Sequence, residues 1–396
     1  MGLYVFIILT CTIQSKEIWC KKPLQICREV LQIKMKLLFV TTGIGYGDPT
    51  RIHEIILEIK KKYPKTKILI ACYDNSYNYF RDKFPTVRIK GYNLPGKSLK
   101  LNFPLMVIKN IFLPATWITN ILKIRLINRK FIPDIVISDI EPLGPSIARV
   151  LKKKCLLFFG YDPDMYKEYK KHHKINYRIK VWTHYFKRLY NQADLAIIPV
   201  LHKRKKARLR LSYINPIIRL LPEELHDKKI LMKELKLKRK PIVVMLGGSK
   251  VGCELAEEVN KVAKYFKEDF IIFGSHLEDI EFAKNVTYHR YNPEFLKYLK
   301  VSKGLITLAG QNTLAEGMIY KKAVLCFPIK DHIEQILNAY TLQDYIMVSK
   351  STKGMRRTLN KFIKEIPKLQ KKTSQYKLKP NGAKQFLKLL EIALQE

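Results

Sequence analysis

The chain has 396 residues, with 74 Lys and Arg against 34 Asp and Glu, a formal net charge of +40. A hydrophobic content of 47% with 11% aromatics excludes a disordered polycation, a collagen or a coiled coil. Seven scattered Cys without a C-x-x-C pair exclude a disulfide framework or zinc knuckle and fit a reducing compartment. The excess charge calls for an anionic partner, whether nucleic acid, acidic lipid or phosphorylated substrate.

Residues 1–13 are apolar but fall short of the roughly 20 needed to cross a bilayer. No basic n-region precedes the run and no small-residue cleavage site follows it. Residues 1–34 are expected to be a dispensable extension or upstream start, with an interfacial membrane anchor as the rival. Met35-Lys36-Leu37-Leu38-Phe39-Val40 then reads as a first buried strand. Further runs rich in Ile, Val, Leu and Phe recur at 67–71, 135–138, 156–159, 195–199, 242–246, 270–273, 304–307 and 323–327. Runs apolar throughout suit strands buried on both faces, and their alternation with helical segments predicts an α/β protein with parallel βαβ sheets. The series pauses at 201–240, where basic runs at 202–210 and 236–240 flank a crossing segment, 213–221. The expected organisation is an extension (1–34), a first Rossmann-like domain (35–210), a second (211–350) and a basic helical tail (351–396).

Charge follows this division. Residues 83–130 carry ten basic and no acidic residues, and between Glu168 and Glu223 fourteen Lys and Arg face only Asp194. Residues 353–396 add twelve basic and three acidic, whereas 241–346 hold twelve basic and thirteen acidic. The second domain is therefore nearly neutral and the remainder basic. A single charge run is usually a solvated face; an acid-free span this long is less easily read so.

Two strands run into glycine loops, Thr41-Thr42-Gly43-Ile44-Gly45-Tyr46-Gly47-Asp48-Pro49 and Leu246-Gly247-Gly248-Ser249-Lys250-Val251-Gly252, each followed by a helix. Glycine lets backbone approach a ligand, and a helix N-terminus offers free N–H groups to an anion. Glycine also serves tight turns, so each loop alone is a weak signal. The first is G-x-G-x-G rather than the dinucleotide G-x-G-x-x-G, and neither is a Walker A loop. A third strand enters Leu308-Ala309-Gly310-Gln311-Asn312-Thr313-Leu314-Ala315-Glu316, and a fourth enters Pro328-Ile329-Lys330-Asp331-His332-Ile333-Glu334-Gln335 and then Asn338. Thr313 and Glu316 alone spell a capping box; Gly310 and the polar run from Asp331 are left over. Both loops leave carboxyl ends of strands, where open α/β sheets bind ligands.

Taken together these motifs resemble the GT-B glycosyltransferases of family 28, the group of the lipid-linked N-acetylglucosaminyltransferase of peptidoglycan synthesis. The resemblance covers roughly residues 35–345. It is most specific at Ala309-Gly310-x-Asn312-Thr313-x-x-Glu316 and His332-x-Glu334-Gln335-x-x-Asn338-Ala339. A closer subgroup of microbial relatives carries G-x-G-x-G-H-x-x-R and D-x-E-P, here Gly43-x-Gly45-x-Gly47-Asp48-x-x-Arg51 and Asp139-Ile140-Glu141-Pro142.

The resemblance implies two Rossmann-like domains facing a cleft, and an inverting transfer of a sugar, N-acetylglucosamine being one candidate, from a UDP-sugar with no metal or other cofactor. Gly247, Gly248 and Ser249 would face the nucleotide; Gly310, Gln311, Asn312 and Thr313 the diphosphate; Glu316 the ribose hydroxyls; Tyr291 and Asn292 the base; and His332, Glu334 and Gln335 the sugar or its diphosphate. Gly45, Gly47, Arg51 and Glu141 fall on the acceptor side. Asp48 stands where the family commonly has His, and Asp48 or Asp139 is the candidate base; a helix-capping role for Asp48 is the alternative. Asp162-Pro163-Asp164 matches a metal-binding D-x-D, which the two-domain reading does not need.

Residues 97–130 mix basic and apolar side chains, suiting anionic headgroups or a polyprenyl-phosphate acceptor. The expected location is the cytoplasm, on the inner face of the membrane. Two rival classes fit less of the pattern. An NAD-type oxidoreductase would need different glycine spacing, and a nucleic-acid binder using Tyr177, Trp182, Tyr185 and Phe186 as a stacking platform carries no recognised motif.

Overall fold

The computed structural model describes residues 34–395 except 98, 205–209, 249, 275, 276, 278 and 279. The extension expected at 1–34, save its last residue, and Ser249 lie outside the described residues. In chain order the first half contributes β1 (Lys36–Thr41), β2 (Lys67–Cys72), β3 (Thr86–Arg88), a hairpin of β4 (Gly96–Lys97) and β5 (Lys100–Leu101), then β6 (Ile135–Asp139), β7 (Lys154–Phe158), β8 (Leu195–Pro199) and β9 (Leu211–Ile214). The second half contributes β10 (Ile242–Met245), β11 (Phe270–Phe273), β12 (Val286–His289), β13 (Gly304–Leu308), β14 (Ala323–Phe327) and β15 (Met347–Val348).

Two parallel sheets result, in the orders β3-β2-β1-β6-β7-β8-β9 and β12-β11-β10-β13-β14-β15. Their central strands are buried on both faces, as β1, β6, β13 and β14 show, which is why they read as unbroken apolar runs. Helices cover both faces of each sheet and separate its core into two layers. The expected α/β architecture of two Rossmann-like domains is the one found.

Two boundaries differ from expectation. β9 pairs with β8 from Ala196↔Leu211 to Pro199↔Ile214, so the first sheet extends past residue 210. Residues 351–396 do not form a separate tail. The helix Met355–Ser374 buries Met355, Leu359, Phe362, Ile366 and Leu369 in the second domain. The helix Gly382–Gln395 returns to the first domain, where Phe386 meets Phe158 at 5.0 Å between ring centroids and Glu391 accepts from Lys62 Nζ at 2.7 Å and Tyr63 Oη at 2.9 Å. Apolar residues spaced three and four apart commit one face of each helix to a core, leaving the lysines outside. Gly382 sits so close to the crossing segment that a Cβ there would stand 2.1 Å from the Asn215 carbonyl oxygen.

Candidate active site

Both sheets reverse their winding once, and the candidate loops leave those points. In the first sheet β1 and β6 are neighbours, paired Thr41↔Asp139, so the first glycine loop and the Asp139-Ile-Glu-Pro loop emerge side by side. In the second sheet β10 and β13 pair Met245↔Thr307, bringing the second glycine loop beside Gly310. Ligands of open α/β sheets bind in such crevices. The two crevices face each other. Asn75 Nδ2 donates to the carbonyls of Ile44 and Gly248, each at 3.4 Å, and a Cβ on Gly248 would stand 3.1 Å from Gly45 Cα. Asn312 Nδ2 donates to Gly47 O at 2.7 Å.

Arg51 is the node between these walls. It lies on the helix Gly47–Lys62 and is 4% exposed. Its Nη2 donates to Asp139 Oδ1 at 2.5 Å and to Asp48 Oδ1 at 3.0 Å, and its Nε to Asp139 Oδ2 at 3.3 Å. Across the cleft its Nη1 reaches Asn312 Oδ1 at 3.3 Å and Gln311 Oε1 at 3.4 Å. Burial raises the Asp48 carboxyl to about 8, with the Asp139 charge adding to it and Arg51 opposing. Burial also raises Asp139, against the pull of Arg51. Asp139 is fully buried with both oxygens on Arg51, whereas the Asp48 side chain keeps 17% exposure and lines the cleft. Asp48 is no helix cap: Tyr46 holds that position and no side chain caps it. His53, on the same helix, bonds Tyr79 Oη at 2.7 Å among aromatic rings.

On the opposite wall the helix Gln311–Ile319 starts directly after β13 with Gly310 as N-cap and no capping side chain, so its first N–H groups are not taken up by one. Thr313 and Glu316 therefore do not form the capping box their spacing suggests. Glu316 sits a turn into the helix, 4% exposed, and its Oε1 accepts Arg219 Nε at 3.0 Å and Nη2 at 2.9 Å. Burial raises the Glu316 carboxyl while Arg219 opposes it. Arg219, Tyr291, Phe295, Thr313 and Glu316 help line a recess of about 80 Å³, and Tyr46 of the first domain borders it with its ring tilted 34° against Tyr291 at 4.9 Å. Gly247, with φ +73°, and Gly248 border the adjoining cleft of about 210 Å³.

His332 caps the helix Ile333–Leu342, with Gln335 N donating to its Nδ1 at 3.5 Å. Burial lowers its imidazole to about 4, so it faces the cleft uncharged. Gln335 Oε1 accepts from Ile329 N at 3.0 Å and Asn338 Nδ2 donates to Ala309 O at 3.0 Å, so these two amides fix loops. Gln311 Nε2 similarly donates to Pro199 O. Burial raises the Glu334 carboxyl to about 7. Glu141 is 1% exposed and raised to about 7 by burial, with Leu143 N donating to its Oε1 at 3.4 Å.

Glu334 and His332 stand where the cleft opens into an apolar groove of about 680 Å³. The groove is lined by Phe103, Met106, Ile111, Trp117, Val181 and Trp182, among others. Its outer lip leaves Val107 and Ile111 66% and Phe112 78% exposed. Among the described residues no single helix is long and apolar enough to cross a membrane; the pair Phe103–Lys109 and Leu113–Asn128, bent by 48°, passes such a test only together. Trp182 and Phe186 stack on each other at 5.4 Å, and Phe186 is buried in the first domain's core rather than presented as a platform for bases.

Asp162 and Asp164 are both engaged in the fold. Asp162 caps the helix Pro163–His172 and accepts Arg204 Nη2 at 2.5 Å, and Asp164 accepts Tyr213 Oη at 2.9 Å. Spacing did not point to Arg219, Tyr46 or Asn75. Only Tyr46, inside the glycine loop, carried a signal.

The profile of glycosyl transferase family 1 matches residues 35–367. An uncharacterised glycosyltransferase of Methanosarcina acetivorans is 25% identical over 240 residues, 56% of this chain and 61% of its own length. One from Methanopyrus kandleri is 24% identical over 160 residues, 39% of this chain and 46% of its own, so these matches span less than two thirds of either relative. Among solved structures, MurG of Acinetobacter baumannii superposes with TM-score 0.53 at 13% identity over 90% of this chain and 99% of that one. The calicheamicin glycosyltransferase CalG4 gives 0.58 at 11% identity over 92% and 99%. A profile match over most of the chain, on two parallel sheets that meet at their switch points, makes this protein a member of glycosyl transferase family 1 with the GT-B fold.

Proposed function

We propose that the enzyme is an inverting transferase that moves a sugar from a UDP-sugar to a lipid-phosphate-linked acceptor, without a metal, at an anionic membrane surface. The observation that carries this reading is the juxtaposition, across one cleft, of an N-terminal helix end free of a capping side chain at Gly310 and a carboxyl raised to about 8 at Asp48. The base would lie against Tyr291 and the ribose on Glu316 Oε2, since Arg219 occupies Oε1. The diphosphate would meet the first N–H groups of the helix Gln311–Ile319, whose dipole offsets its charge.

In the reaction Asp48, as carboxylate, takes the proton of the acceptor hydroxyl as that oxygen bonds to the anomeric carbon. The bond from that carbon to the diphosphate oxygen breaks, and its electron pair leaves on the diphosphate, which the helix end stabilises. Arg51 holds Asp48 in place, and Asp139 holds Arg51 from behind. Glu334, at the mouth of the apolar groove, is suited to bind sugar hydroxyls, and the groove supports an acceptor with a hydrocarbon chain. The basic 83–130 segment supports contact with anionic headgroups.

A thermal-shift screen of UDP-, GDP- and dTDP-sugars tests the donor assignment, with stabilisation by UDP ligands expected. Glu316→Gln should abolish the shift while keeping the fold. No shift with any UDP ligand, or an undiminished one in the variant, overturns it.

A further inference from the structure

The helix Tyr177–Tyr190 borders two cavities. One side faces the apolar groove through Val181, Trp182 and Tyr185. The other side sends Lys180, Thr183, His184 and Lys187 into a separate cavity of about 700 Å³. Lys167 and Lys170, from the helix Pro163–His172, and Arg210, at the start of β9, complete its rim. Tyr161, Tyr166 and Tyr190 form its floor.

Five cations thus border one cavity, and no Asp or Glu lines it. None of the five makes an ion pair among the described residues, although Asp139 and Asp162 of the same domain are paired with arginines. Arg210, just before β9, sits in the left-handed region at φ +62°. Tyr190 is anchored through its hydroxyl to Tyr161 O, which fixes the floor on which the lysines converge. Like charges gathered around one concavity repel each other, and the folded chain bears that repulsion until an anion fills the space. All five cations are exposed around its rim, where an anion can reach them from solvent.

We propose that this cavity is a binding site for clustered phosphate groups, distinct from the sugar-transfer cleft. None of its lining residues borders that cleft. Lysines present point charges that suit phosphate without demanding one geometry, and tyrosine hydroxyls add neutral donors. A soluble oligophosphate and an anionic lipid headgroup share this chemistry. The lipid is within reach, because the apolar groove lies one helix diameter away, about 10 Å.

Calorimetric titration of the full chain with tripolyphosphate, and flotation with vesicles of phosphatidylglycerol or of phosphatidylcholine, distinguish the sources. The triple variant Lys167→Gln, Lys170→Gln, Lys187→Gln should lose at least tenfold in affinity for whichever probe binds. Its UDP affinity should stay unchanged, and its melting temperature should not fall, since three mutually repelling charges are removed. A control variant, Lys368→Gln, Lys371→Gln, Lys372→Gln, removes the same charge elsewhere and should bind like the parent. Tripolyphosphate binding assigns a soluble ligand, and selective flotation on phosphatidylglycerol assigns a headgroup. Binding of neither probe, equal loss in the control, or full binding by the first variant each overturns the site. Because the readout is binding outside the cleft, failure here leaves the transferase assignment standing, and failure of the UDP screen leaves this site standing.

Discussion

The first domain's wall of the cleft buries Arg51, Asp139 and Glu141 behind a partly exposed Asp48, whereas the second domain's wall offers the free N-terminus of the helix Gln311–Ile319, amide side chains, an uncharged His332, Glu334, and Glu316 tied to Arg219. In the proposed reaction a proton changes hands on the acceptor side, and that requires a group whose charge can change. Negative charge builds on the leaving diphosphate, and fixed dipoles can meet it without titrating. The charge divides along the same line: the span 241–346 holds twelve basic and thirteen acidic residues, and the net excess lies outside it.

If the walls differ in this way, substitutions should separate them. The largest effect is expected from Asp48→Asn, which should lower kcat by about 10²- to 10⁴-fold, the usual contribution of a positioned acid–base group, with UDP affinity kept within a few-fold. Steady-state rates and UDP titration check this; an active Asp48→Asn enzyme would move the base elsewhere. Arg51→Ala should cost about 3–5 kcal/mol of stability, because it strands buried carboxyls on one wall, measured by denaturant unfolding. Arg219→Gln should weaken UDP binding about tenfold while leaving the pH profile in place, the reverse of Asp48→Asn. In wild type, kcat/KM should rise with pH and level off above about 8, as Asp48 gives up its proton.

The smallest effect concerns Glu141. Its folded carboxyl is raised from 4.5 to about 7, so it favours folding below 4.5 and that contribution is lost as pH rises to 7. Glu141→Gln removes the charge while keeping an acceptor for Leu143 N. It should raise Tm by about 1 °C at pH 8, the shift that roughly 1 kcal/mol gives a chain of this length, and change little at pH 4.5.

The long, doubly buried strands were legible because burial on both faces leaves no room for polar residues; β1, β6, β13 and β14 appear where the apolar runs fall. The edge strands β3, β9, β12 and β15 were not, being two to four residues long and partly exposed. At the site, loop positions were readable from glycine and amide spacing, but partnerships were not. Arg51 and Asp139 lie 88 residues apart and Arg219 and Glu316 lie 97 apart, and only the sheet order brings them together. The apparent capping box misled because a Thr and a Glu three apart read the same whether they begin a helix or sit within one.

The return of the helix Gly382–Gln395 to the first domain has a mechanical consequence. Two covalent strands then cross between the domains, one through Asn215 and one just before Gly382. They are laced by Asn215 Nδ2 donating to Asn381 Oδ1 at 2.7 Å and Gln385 Oε1 accepting from Asn215 N at 2.6 Å. The two crossings are tied to each other at one place, so a movement of one domain against the other must bend both together.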